Sequence, residues 1–131
     1  MFKRLVVTTA VLLVFGSVGA AAQAQSSKPA PRCFLSRDWQ GWKPSADSRA
    51  IYARVGVSQV YRIDFSSACP MLQRSDAHLI TKLRGSSWIC DPLDLQLDVS
   101  DAPGVQVPCI VKNITPLSPE QASALPKNMQ P

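Results

Sequence analysis

The chain has 131 residues, 14 Lys or Arg against 9 Asp or Glu, and one histidine, for a formal charge of +5. That balance is too mild for nucleic-acid binding, which takes a concentrated basic face. With a single histidine, any Ser-His-Asp site has to be built around His78.

The N-terminus reads as a secretory signal peptide over residues 1–24. Lys3 and Arg4 form a short basic start, Leu5 to Phe15 an apolar run, and Ala22-Gln23-Ala24 an A-x-A cleavage site, with cutting after Ala22 or Ala24 left open. The competing reading is an uncleaved anchor, but Gly16, Ser17 and Gly19 loosen the run. A lipidation signal is disfavoured by Ala30-Pro31-Arg32 before Cys33. No later segment is apolar enough to span a bilayer, so a soluble periplasmic or secreted product is expected, with no stable membrane insertion after cleavage. Export places Cys33, Cys69, Cys90 and Cys109 where an even cysteine count in a small domain means disulfides. The remaining length suits one domain over 33–126, with flexible tails at 25–32 and 127–131.

Without Lys3 and Arg4 the count is 12 basic against 9 acidic residues, a formal charge of +3. Residues 25–84 carry ten Lys or Arg against four Asp, whereas 85–131 carry two Lys against five acids. Two halves of opposite sign are expected to meet across one sheet and partly neutralise each other, in preference to forming a basic surface for an anionic partner.

Trp39-Gln40-Gly41-Trp42-Lys43 reads as a loop, where two indoles beside Arg37 and Lys43 can stack on a sugar or clamp a peptide, or else cover the edge of a small core. Ala50 to Val55 and Val57 to Phe65, separated by Gly56, predict a hairpin with Tyr61, Ile63 and Phe65 on the core face and Arg62 and Asp64 on the other. His78 to Leu83 predicts a third strand closed by Arg84-Gly85-Ser86, with Ser87 to Cys90 extended. Leu93, Leu95, Leu97 and Val99 alternate with Asp94, Gln96 and Asp98, which predicts a buried face and a wet one. After the Pro103-Gly104 turn, Val105, Val107, Cys109 and Val111 keep that parity. In this register Cys109 lies roughly opposite Leu95 and out of reach of Cys90, which disfavours a 90–109 bridge. Of the three pairings, Cys69 with Cys90 and Cys33 with Cys109 is the one weakly favoured.

Leu117-Ser118-Pro119-Glu120-Gln121 predicts a helix start: Ser118 as N-cap, Pro119 at N1, Gln121 closing a capping box. Pro126 stops the helix after about two turns, and Ala122 and Leu125 are expected to dock on the sheet. The resulting fold class is α+β, mostly β: a small disulfide-stapled antiparallel sheet of about five strands with a short C-terminal helix.

For chemistry, the cysteine spacing contains no C-x-x-C pair, so zinc is not expected. Gly85-Ser86-Ser87 lacks the G-x-S-x-G elbow of a nucleophile. Asp91, Asp94, Asp98 and Asp101 lack the D-x-D-x-D-G loop of a calcium site and read as a solvated strand face. The chain has little room for the large loops that flank paired glycosidase carboxylates. No catalytic residue, metal or cofactor is expected.

The run Arg84-Gly85-Ser86-Ser87-Trp88-Ile89-Cys90, with Val60-Tyr61-Arg62 and Cys69-Pro70 before it and Pro108-Cys109 and Leu117-Ser118-Pro119-Glu120 after it, resembles a family of small exported bacterial proteins classed as a domain of unknown function. The resemblance spans Cys33 to about Leu125. It implies a periplasmic or secreted single domain whose four cysteines match the family framework, and it supplies no activity. The leading expectation is therefore a non-enzymatic binding or inhibitory module of the cell envelope, contacting an envelope protein or glycan through Trp39, Trp42, Arg54 and Arg62. The alternatives are a small envelope hydrolase around His78, Ser86 and Ser87, and a structural envelope factor with no discrete ligand.

Overall fold

The computed structural model describes residues 31–131. The expected signal peptide and nearly all of the expected N-terminal tail lie outside the described residues. The rest is mostly β: β1 (Phe34–Leu35), β2 (Trp39–Pro44), β3 (Ala50–Val55), β4 (Gln59–Phe65), β5 (His78–Leu83), β6 (Trp88–Ile89), β7 (Leu95–Ala102), β8 (Val105–Cys109), β9 (Val111–Pro116) and a single α-helix, α1 (Pro119–Ser123). They form three antiparallel sheets, ordered β2-β3-β4-β9, β5-β7-β8 and β1-β6.

The predicted hairpin is β3–β4, turning at Gly56, whose φ of 60° suits a residue without Cβ. Tyr61, Ile63 and Phe65 point to the core with Ile51, Ala53 and Val55. From the three-stranded sheet, Leu95, Leu97, Val99 and Cys109 meet them, and Phe34, Leu72 and Ile89 complete one core between the sheets.

Several sequence expectations are corrected. Trp39–Lys43 is not a loop but most of β2, an edge strand held by pairing with β3 and carrying a bulge between Trp39 and Gly41. Leu93 is exposed, because Pro92–Asp94 forms a 3-10 turn and the strand begins only at Leu95. Val105 and Val107 are also exposed; after the irregularity between Val99 and Ala102, this end of the β7–β8 hairpin extends past the core. The C-terminal residues do not form a free tail. Ser118 caps α1 as expected, accepting from Gln121 N at 3.2 Å while Gln121 Oε1 accepts from Ser118 N at 2.9 Å. The chain then makes a 3-10 turn at Lys127–Met129, and Gln130 Nε2 donates to Leu125 O at 2.8 Å. Helix α1 lies by β4 and the 3-10 turn by β2, so this segment straps the outer face of the four-stranded sheet, where Tyr52 and Val60 are buried.

The disulfides join Cys33 to Cys90 and Cys69 to Cys109. The exclusion of a 90–109 bridge holds, but the favoured pairing does not. Cys33 reaches Cys90 because β1 pairs with β6, Phe34 opposite Ile89, which sets the adjoining Cα atoms 4.2 Å apart. Cys69 precedes a 3-10 turn, Pro70–Gln73, that lies beside β7, and Cys109 sits opposite Leu97 on the β8 side of that strand.

The two oppositely charged halves do meet. Lys82 binds Asp98 across β5–β7, and Arg74 Nε lies 2.8 Å from Asp101. Asp98 is only 4% exposed, so the expected wet face of β7 is covered there. The Lys82 ammonium holds the Asp98 carboxyl below the usual carboxylate range, aided by Gln96. A depressed folded pKa contributes stability above the unfolded carboxylate value near about 4, lost as pH falls through the folded value. Lys82→Met is expected to destabilise the domain by about 1 kcal/mol at pH 7, discounted for the half-exposed lysine. It should also flatten the acid limb below about pH 5. Urea midpoints at pH 7 and pH 3 check this; equal wild-type and variant slopes between them would refute the pairing.

Candidate functional site

Two sheet edges face each other across a cleft. On one side is β2, with Trp39, Gln40, Gly41 and Trp42; on the other β5, with Leu79 and Thr81; Ile89 and Ser36 close it. Its volume is about 260 Å³. Both tryptophans are half-buried against the core. Trp39 is fixed from behind: its ring meets Phe34 edge-on at 6.2 Å, and its Nε1 donates to Gly41 O at 3.0 Å. Phe34 in turn stacks at 4.6 Å on Tyr61, whose hydroxyl donates to Pro31 O at 2.6 Å. Burial pushes the Tyr61 phenol above its ordinary pKa. The bulge at Gln40 sets the indoles: it keeps both tryptophans on the wall although they are three residues apart.

The cleft unites Trp39 and Trp42 but not the arginines expected beside them. Trp42 pairs with Ala53 on the core face, whereas Arg54 lies opposite Gly41 and Arg62 opposite Tyr52, on the outer face. Arg62 is also engaged: its Nε lies 2.7 Å from Asp64, which holds the guanidinium protonated above its usual range, and its head lies 5.8 Å over the Tyr52 ring.

His78, Ser86 and Ser87 are not brought together. His78 opens β5 and the serines follow its end, so the six-residue strand puts about 16 Å or more between them. Each serves locally: His78 Nδ1 contacts Asp76 O, and Ser86 Oγ accepts from Trp88 N at 3.2 Å. A cavity of about 460 Å³ beside His78 contains Asp76, Ser100 and Asp101, but the Ser100 hydroxyl is bound to Ala102 O at 2.9 Å.

The four aspartates are structural. Asp91 caps the 3-10 turn at Leu93 N, and Asp94 accepts from Cys90 N and Asp91 N at 2.9 Å each, which lowers its pKa. Asp98 and Asp101 hold Lys82 and Arg74. Among the described residues, no group of three or more His, Cys, Asp or Glu is placed to hold a metal ion, and no helix is long and apolar enough to cross a membrane.

Leu79, Thr81 and Ile89 were not singled out by the sequence, because their place in the cleft depends on which edges the sheets leave free. A third cavity, of about 350 Å³, lies between Leu93, Leu97 and Ile110, with Leu93 and Ile110 exposed.

No curated protein and no solved structure matches the chain. A family of unknown function, DUF6491, matches residues 1–130, and the chain belongs to that family.

Proposed function

We propose that this chain is an exported, non-enzymatic binding module of the cell envelope, with the β2–β5 cleft as its recognition site. One observation carries the reading: two indoles packed against the core, Trp39, held by Phe34 and the Gly41 carbonyl, and Trp42, form the wall of an open cleft lined also by the buried Ile89. Preorganised aromatic walls of this kind give affinity at low entropic cost. The two disulfides suit an oxidising compartment, and the leader-like N-terminus suits export to the periplasm or beyond. The separation of His78 from Ser86 and Ser87 removes the geometric basis of the hydrolase reading.

The test is a photo-crosslinking residue at Gln40, exposed beside the cleft, in protein expressed and exported in cells. A discrete protein or glycan adduct is expected, reduced at least fivefold by Trp42→Ala and unchanged by Arg54→Ala on the opposite face. Intact mass of the same material is expected to begin at Gln23 or Gln25 and to fall four hydrogens short of the reduced chain. Adducts indifferent to Trp42→Ala would sink the cleft reading.

A further inference from the structure

Three of the four outer edges of the two larger sheets are blunted by a proline. Ser45 N donates to Ala50 O at 2.9 Å, so Pro44, next along β2, turns its ring nitrogen away from β3 to the free side. Leu117 N donates to Val60 O at 2.8 Å, which puts Pro116 of β9 in the same position. Pro108 of β8 lies opposite Asp98, whose own backbone groups face β5. A proline there removes a donor from the edge and deters strand addition.

The fourth edge, β5, contains no proline. Arg84 N donates to Asp94 O at 2.9 Å, and alternation from that bond turns His78, Ile80 and Lys82 to β7 and leaves Leu79, Thr81 and Leu83 facing outwards. Among the described residues their backbone N–H and C=O groups have no partner. Leu79 and Thr81 are the β5 residues that line the cleft. Lys82, the residue type that often guards an edge, is drawn onto Asp98 on the outer face.

The geometry points to β5 as a docking edge for an extended peptide segment of a partner protein, which adds as a strand and lays alternate side chains against Trp39, Trp42 and Ile89. This rests on the β2–β5 cleft being the binding site. A peptide fits better than a glycan because the unpaired groups are a strand's own donors and acceptors in strand spacing. A single extended chain fits better than a second folded copy because β2 walls the far side of the slot.

The experiment pans a phage-displayed library of random dodecapeptides on the mature oxidised protein and follows an enriched peptide, made synthetically, by amide hydrogen exchange. Enriched sequences are expected to alternate apolar residues. Bound peptide is expected to slow exchange at Leu79, Thr81 and Leu83 at least tenfold, with Ile80 and Lys82 already protected in the free protein. Thr81→Pro removes only an outward N–H and is expected to weaken binding at least tenfold with the circular dichroism unchanged. Should that variant misfold, exchange in the unaltered protein decides the matter. Failure to enrich any peptide, enriched peptides that leave the three amides unprotected, or a dimer that protects them without peptide would overturn the inference. N-acetylglucosamine oligosaccharides run in parallel separate the two readings: Trp42-dependent sugar binding with the amides exchanging freely overturns the peptide and leaves the cleft standing, whereas no Trp42-dependent binding of either overturns both.

Discussion

Replacing Cys69 and Cys109 together by alanine is expected to lower the unfolding free energy by about 4–5 kcal/mol. Their bridge closes a loop with a sequence separation of 40, which by the chain-entropy relation stabilises the fold by about 4 kcal/mol. Both cysteines are also buried, at 5% and 2% exposure, so removing their sulfurs leaves a void in the core cluster that includes Leu72, Leu97 and Phe65 and adds a fraction to the loss. A domain of this size has about 5–15 kcal/mol in all, and the variant should be largely unfolded at 37 °C. Removing Cys33 and Cys90 is the informative comparison. That loop is longer, with a separation of 57, but Cys90 is exposed and little packing is lost. Urea unfolding without reductant measures both, and the slope should steepen in each variant because the unbridged unfolded chain exposes more surface. A Cys69→Ala/Cys109→Ala midpoint within about 1 kcal/mol of wild type would contradict the central place given to this bridge.

Tyr61→Ala is expected to destabilise by about 4 kcal/mol, the range for deleting a wholly buried aromatic ring. Tyr61→Phe, which removes only the hydroxyl bonded to Pro31 O, should cost about 1 kcal/mol. The difference reports the ring's packing rather than its polar tip. Because Tyr61 backs Phe34 and Phe34 backs Trp39, the alanine variant should also loosen the cleft wall. Tryptophan emission is therefore expected to shift to the red in native Tyr61→Ala below its unfolding transition and to stay put in Tyr61→Phe. Emission unchanged in both would disconnect the core from the cleft.

Much of the fold was legible because it is local. The β3–β4 hairpin is announced by Gly56 between two β-branched and aromatic runs, β5 by the Arg84-Gly85-Ser86 turn that closes it, and α1 by the Ser118–Gln121 box; none needs a distant partner to be read. What stayed hidden depends on pairing between segments far apart. Strand β2 contains Gly41 and two tryptophans and looks like a loop until β3 is laid beside it. Strand β9, from Val111, was read as a continuation of β8, yet it crosses to the other sheet and pairs with β4. Asp98 alternates as a solvent residue should, and only Lys82 on the neighbouring strand explains its burial. The residues of the proposed cleft divide in the same way. The tryptophans stood out by type, whereas Leu79 and Thr81 matter through backbone groups that no residue identity reveals.

The two bridges interleave: the loop closed by Cys33 and Cys90 contains Cys69, and the loop closed by Cys69 and Cys109 contains Cys90. A chain emerging from its N-terminus presents Cys33 and Cys69 as the first available couple, and that couple is wrong. An oxidant acting on cysteines in order of appearance would also join Cys90 to Cys109, leaving β1 without its anchor to β6. Correct oxidation thus has to wait until residue 90 has emerged as well and β1 has found β6, or it has to be repaired afterwards by thiol–disulfide exchange. The yield of native protein is then governed by how promptly a two-residue ladder forms relative to the local oxidant, so recovery should depend on a disulfide isomerase far more than it would for a domain with consecutive bridges.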